Sequence, residues 1–133
     1  MSQSAEANIL LVDDDEAVRE VTAAILEDLG YSVSEAEDGP SALEALERGS
    51  RVDLLMADFS MPGMNGAELT RQVQERRPGM PVLLVTGYAD ARAVEAVGEE
   101  RIVLKPFRNE DLARKIRTAL GAGENGQVVA LRR

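Results

Sequence analysis

Short apolar runs and apolar positions at helical spacing alternate along the whole chain. Ile9-Leu10-Leu11-Val12 is a continuous apolar run. It is too short for a buried helix and suits a strand buried on both faces. Val18, Val21, Ile25 and Leu29 follow at the spacing of one helix stripe, with Gly30 as the stop. Ser32 to Ala36 alternates weakly and predicts a strand at a sheet edge. Asp38-Gly39-Pro40 opens a second helix, with proline in its first turn and Leu43 and Leu46 facing inward. Val52 to Ala57 is the third strand. Asn65 and Glu68 have capping-box spacing for a third helix carrying Leu69 and Val73. Pro78 and Pro81 precede the strand Val82 to Val85. A short helix over Ala91 to Val97 ends at Gly98, and Ile102-Val103-Leu104 is the fifth strand. Asn109 is placed to cap a last helix carrying Leu112, Ile116 and Leu120.

Strands alternating with helices through short connections imply a parallel sheet between two helix layers, an α/β fold. The chain has 133 residues, enough for one compact domain. The domain is expected over residues 7–121, with 1–6 and 122–133 as flexible termini or a linker stub. With 24 acids against 15 bases the net charge is −9. That excludes a phosphate-backbone binder, which needs a basic face, so no nucleic acid is expected as a partner. Cysteine is absent, which removes thiolate nucleophiles and zinc–thiolate sites. Histidine is absent, which removes the commonest general base and any phosphohistidine carried by this chain. No apolar run reaches membrane-spanning length, and the polar start Met1 to Ala7 lacks a basic-then-apolar signal. The expected compartment is the cytoplasm, with no membrane partner.

The chemistry sits after the strong strands. Asp13, Asp14 and Asp15 follow the first, Asp58 the third, Thr86 the fourth, and Lys105-Pro106 the fifth. Ligand sites in open parallel sheets lie outside the carboxyl ends of the strands. Singly, each residue has a plain structural role: acids before a helix cap it and match its dipole, and an aspartate closing a strand forms a turn. Together, acid, acid, hydroxyl and amine at successive strand ends make a cleft with chemistry. Clustered carboxylates repel and need a counter-cation or raised pKa values. All-oxygen ligands with few carboxylates suit Mg2+. An ammonium and a hydroxyl opposite the ion can hold phosphoryl oxygens. Without histidine or cysteine, the nucleophile is a carboxylate, which gives an acyl phosphate.

These residues, in this order, resemble the response-regulator receiver domains of bacterial two-component signalling. The matching segments are Ile9 to Asp15, Asp58-Phe59-Ser60-Met61-Pro62-Gly63-Met64-Asn65-Gly66, Val85-Thr86-Gly87 and Lys105-Pro106-Phe107. The resemblance implies a flavodoxin-like, doubly wound five-stranded parallel sheet in the order 2-1-3-4-5, with helices on both faces. It implies Asp58 as phosphoacceptor. Asp13, Asp14, Asp58 and the Ser60 backbone carbonyl would be the Mg2+ ligands. Thr86 and Lys105 would contact the phosphoryl group. It implies a cis Lys105–Pro106 bond and a tight-turn role for Gly66, where a positive φ would be cheap. The implied partners are a sensor histidine kinase or a histidine phosphotransfer protein as donor, plus an unidentified output partner. The implied state is a monomer or weak dimer that is no enzyme beyond its own phosphorylation and dephosphorylation.

The chain departs from the family pattern in three places. Ile102 stands where many relatives carry a switching aromatic. The stretch from Thr86 to Lys105 is short, so the fourth helix should be short or irregular. Tyr88 lies two residues after Thr86 and is a candidate shield or substitute switch. Ser60 borders the site with a small hydroxyl, while Met61 and Met64 read as packing. Two other readings share parts of the pattern. Asp13-x-Asp15 after an apolar strand resembles haloacid-dehalogenase-type phosphatases, but that reading leaves Asp58 idle. A flavin-binding electron carrier would share the sheet, but three aspartates would repel its phosphate, and the chain has only 2 Phe and 2 Tyr. Within the receiver reading, both a stand-alone regulator and the receiver part of a hybrid kinase remain open.

Overall fold

A computed structural model describes residues 7–87 and 91–131, with side chains described through residue 121. Five strands and five α-helices alternate: β1 Asn8–Val12, α1 Glu16–Asp28, β2 Ser32–Ala36, α2 Gly39–Glu47, β3 Leu54–Asp58, α3 Gly66–Arg76, β4 Val82–Thr86, α4 Ala91–Val97, β5 Ile102–Leu104 and α5 Asn109–Leu131. The sheet order is β2-β1-β3-β4-β5 and every pairing is parallel. This is the expected 2-1-3-4-5 sheet. The register pairs Leu11 with Glu35 and Met56, Met56 with Leu83, and Leu84 with Ile102.

Alternation along each strand divides the core in two. Ile9, Leu11, Leu54, Met56, Leu83, Val85 and Val103 face α1 and α5, where Leu26, Leu112 and Ile116 are fully buried. Leu10, Val12, Leu55, Ala57, Leu84 and Ile102 face α2, α3 and α4, where Leu43, Leu69, Val73 and Ala93 complete the packing. The runs that read as doubly buried strands are therefore apolar at every position because each residue meets one helix layer or the other.

The helix ends follow their caps. Asp15 Oδ1 accepts from the Val18 N–H at 3.1 Å, Asp38 Oδ1 from Ser41 at 2.8 Å, and Asn65 Oδ1 from Glu68 at 2.9 Å. Only that half of the capping box forms, because the Glu68 carboxylate turns to Arg71 and Gln72 instead. Asn109 does not cap α5. It is the first helical residue, because the Arg108 carbonyl already accepts the Leu112 N–H at 3.0 Å. The α5 backbone continues to Leu131, past the expected domain end at residue 121. The third strand runs Leu54–Asp58, two residues later than Val52. The fourth helix is short, as expected: α4 has seven residues, is closed by Gly98 at φ 87°, and is followed by a 3-10 turn over Glu99–Arg101.

Helix α1 differs from expectation. Thr22, Ala23 and Leu26 face the sheet, while Val18 and Val21 are exposed at 37% and 62%. The apolar stripe is real, but the helix is rotated so that its first half borders an open groove. Among the described residues, no helix is long and apolar enough to cross a membrane.

Candidate functional site

The carboxyl ends of β1, β3, β4 and β5 bring together the residues singled out in the sequence. Asp13 is buried, Asp58 is half-buried and Asp14 is exposed, and carboxylate oxygens from all three lie within 4.8 Å of one another. Alternation puts Asp58, two residues after Met56, on the α1/α5 side of the sheet. Thr86 ends β4 on the other side, buried at 3% exposure. The backbone fixes these ends against each other. Phe59 donates its N–H to the Val85 carbonyl at 2.8 Å, and Lys105 donates its N–H to the Thr86 carbonyl at 2.8 Å. The Lys105–Pro106 bond is cis.

Electrostatics single out Asp58. Burial pushes its carboxyl above the ordinary aspartate value. The Lys105 ammonium pulls it back, Asp13 raises it further, the Ser60 backbone N–H donates to it and lowers it, and Asp14 raises it again. Three oxygen-donor carboxylates at one point, one of them short of solvent, suit a hard divalent cation. The donor set thus fits Mg2+. Asp15 sits apart from this set: it caps α1 and is exposed. The second acid of a phosphatase motif is therefore committed to the helix end. Ser60 is exposed beside the site, and its N–H faces the Asp58 carboxylate.

Gly66 corrects one expectation. Its φ is not positive; Gly63, at φ 80°, holds the left-handed position of this loop. Gly66 is instead required by close approach. A Cβ there would lie 2.9 Å from Phe59 Cα and 2.9 Å from a Leu84 methyl. Ile102, at the place of the usual aromatic, is buried at 6% in the α2/α3/α4 core. Tyr88 lies outside the described residues.

Two features carried no signal in the sequence. Arg92 of α4 stands over the Phe59 ring, 5.3 Å from its centroid. Arg19 of α1 donates to the Asp13 carbonyl at 2.7 Å and to Glu35 at 3.0 Å. An arginine on an amphipathic helix has no local mark distinguishing it from a solvated one. Beside the acids runs an apolar groove of about 680 Å³ lined by Val18, Val21, Ile25, Pro106 and Phe107 and ending at Asp58.

A family model for the response regulator receiver domain matches residues 9–117. The chain is 36% identical over 121 residues to the sensor kinase CckA of Brucella abortus, covering 88% of this chain and 13% of that protein. It is 41% identical over 114 residues to the chemotaxis protein CheY of Pseudomonas aeruginosa, covering 81% of this chain and 91% of CheY. The chain thus spans a small part of one relative and most of the other. Among solved structures it is similar to the receiver domain of a Pseudomonas aeruginosa sensor histidine kinase with a magnesium ion coordinated in the active-site cleft. There the TM-score is 0.79 at 28% identity, covering 88% of this chain and 99% of that one. With four strand ends converging on the acid cluster and a family match across most of its length, the chain belongs to the response regulator receiver domains of two-component systems.

Proposed function

We propose that Asp58 accepts a phosphoryl group from a phosphohistidine on a sensor histidine kinase or a histidine phosphotransfer protein. The observation that carries this is the meeting of Asp13, Asp14 and Asp58 within 4.8 Å at the sheet edge that also bears Thr86 and Lys105. In the step, an Asp58 carboxylate oxygen attacks phosphorus. The donor ring is protonated on its other nitrogen; the P–N bond breaks, and the ring leaves with the bonding pair as neutral imidazole, keeping that proton. Asp13, Asp14, Asp58 and the Ser60 carbonyl would hold Mg2+, which when bound offsets charge on the phosphoryl oxygens. The magnesium ion in the active-site cleft of the Pseudomonas receiver supports a Mg2+ site in this cleft. Lys105 would move from the carboxylate to a phosphoryl oxygen, and the Thr86 hydroxyl would donate to another.

The apolar groove gives the donor a place to rest. Val18 and Val21 are exposed in the groove that also borders Asp58, which the donor's phosphohistidine must approach. The phosphorylated state biases a two-state equilibrium through Thr86 toward an output partner. The domain acts in the cytoplasm as a switch, without a separate substrate. The test is incubation with a small acyl phosphate and Mg2+, followed by intact mass. One added phosphoryl group is expected, absent from Asp58→Asn and from a chelated sample. No adduct, together with no response to beryllofluoride at Asp58 and Thr86, would refute the reading.

A further inference from the structure

Arg19 lies outside the acid cluster, yet its side chain is only 14% exposed, and its bonds run to the ends of two strands. Nη1 donates to the Asp13 carbonyl oxygen at 2.7 Å, and Nε donates to Glu35 Oε1 at 3.0 Å. Glu35 belongs to β2, so one guanidinium ties the end of β1 to its neighbour. The other polar atoms of Asp13 are held as well. Its N–H donates to the Ala36 carbonyl at 3.2 Å, and its Oδ1 accepts from the Asp15 N–H at 2.9 Å. These bonds fix the Asp13 main chain and one oxygen of the carboxylate that meets Asp14 and Asp58 in the cluster.

We infer that Arg19 is a positioning residue for the divalent-cation site, holding Asp13 so that the three carboxylates are assembled before the ion arrives. The inference rests on the metal-assisted phosphoryl acceptance proposed above. Its chemistry has a sign that separates it from simple electrostatics. A positive charge near the cluster repels a cation, so a purely Coulombic Arg19 would weaken Mg2+ binding, and its removal would tighten it. A positioning Arg19 does the opposite: its removal lets the Asp13 main chain drift, and binding weakens. The planar fork reaches the Asp13 carbonyl and Glu35 through two different nitrogens, Nη1 and Nε; a lysine ammonium keeps the charge but has one nitrogen to serve both.

The experiment is Mg2+ titration by calorimetry on the full chain, with urea unfolding alongside. The variants are Arg19→Ala, Arg19→Lys and Glu35→Gln. Loss of an outer partner of a metal ligand typically weakens affinity by about 10- to 100-fold. Arg19→Ala is expected in that range. Arg19→Lys should fall between it and the unaltered chain. Glu35→Gln keeps the bond to Asp13 and should stay within about threefold, below that range. Unchanged or tighter Mg2+ binding in Arg19→Ala overturns the inference. So does a loss in Glu35→Gln equal to that in Arg19→Ala, which would make Arg19 a plain tie between helix and strand. If Arg19→Ala does not fold, Arg19→Lys decides: weaker binding supports the inference and unchanged binding overturns it. Absence of Mg2+ binding in the unaltered chain would instead overturn the metal-assisted reading itself, and this inference with it.

Discussion

Replacing Gly66 by alanine tests how the loop behind Asp58 is built. Gly66 opens α3, and its N–H donates to the Phe59 carbonyl at 2.8 Å. The added Cβ would meet Phe59 Cα at 2.9 Å, a Leu84 methyl at 2.9 Å and the Asp58 carbonyl oxygen at 3.2 Å. Carbon atoms sit best at about 3.5–4.0 Å, so two contacts are short by about 0.6–1.1 Å. The Leu84 methyl cannot retreat easily, because Leu84 is fully buried. Phe59 Cα is backbone and moves only with the loop. Overpacking of this kind costs about 1–3 kcal/mol. Alanine recovers up to about 1 kcal/mol over glycine in a helix, less in the first turn. The net expectation is a loss of about 0.5–2.5 kcal/mol. Because the atoms that must yield belong to Asp58 and Phe59, Mg2+ affinity should fall with it. Urea unfolding gives the stability and calorimetry the affinity. Gly121→Ala is the control: a Cβ there meets nothing within 4 Å, so stability should hold or rise. Gly66→Ala as stable as the unaltered chain, with Mg2+ binding intact, would refute the close-approach argument.

Asp58→Asn should stabilise the metal-free protein at neutral pH. The folded Asp58 pKa is raised, chiefly by burial, so the native state holds its proton more tightly than the unfolded chain does. That stability is present below the ordinary aspartate range and is lost as pH rises through the raised value. Urea midpoints in chelator should therefore diverge from acid to neutral pH, and parallel curves would contradict the sign. Val21→Asp should leave stability within about 0.5 kcal/mol, since Val21 is 62% exposed. It should slow transfer from a phosphohistidine protein while labelling by a small acyl phosphate is unchanged; equal slowing of both would remove the groove from donor docking. Asn65→Ala should cost about 1 kcal/mol through loss of the α3 cap, as read by thermal unfolding. Glu68→Ala should cost less, because its carboxylate pairs with Arg71 and Gln72 rather than with the cap.

Much of this molecule is written in short-range pattern. Ile9-Leu10-Leu11-Val12 and Val82 to Val85 are apolar throughout because both faces of a central parallel strand are covered. That fact alone dictates strands and alternating helices. Asp15, Asp38 and Asn65 mark helix starts because a cap is a bond across three residues. The gathering of the candidate site was legible too, since parallel strands place their carboxyl ends at one edge, and Asp13, Asp14, Asp58, Thr86 and Lys105 all sit at such ends. What stayed hidden depends on atoms far apart in the chain. The stripe Val18, Val21, Ile25 and Leu29 and the stripe Thr22, Ala23 and Leu26 overlap, and only the packing of α1 on β1 and β2 selects which one meets the sheet. The need for glycine at position 66 comes from Phe59 and Leu84, and so could not be told from a need for positive φ. The role of Arg19 exists only because β2 lies beside β1, bringing Glu35 within 3.0 Å of a guanidinium that also reaches Asp13. Local periodicity determines which elements form; contacts across the sheet decide which of their faces and side chains do the work.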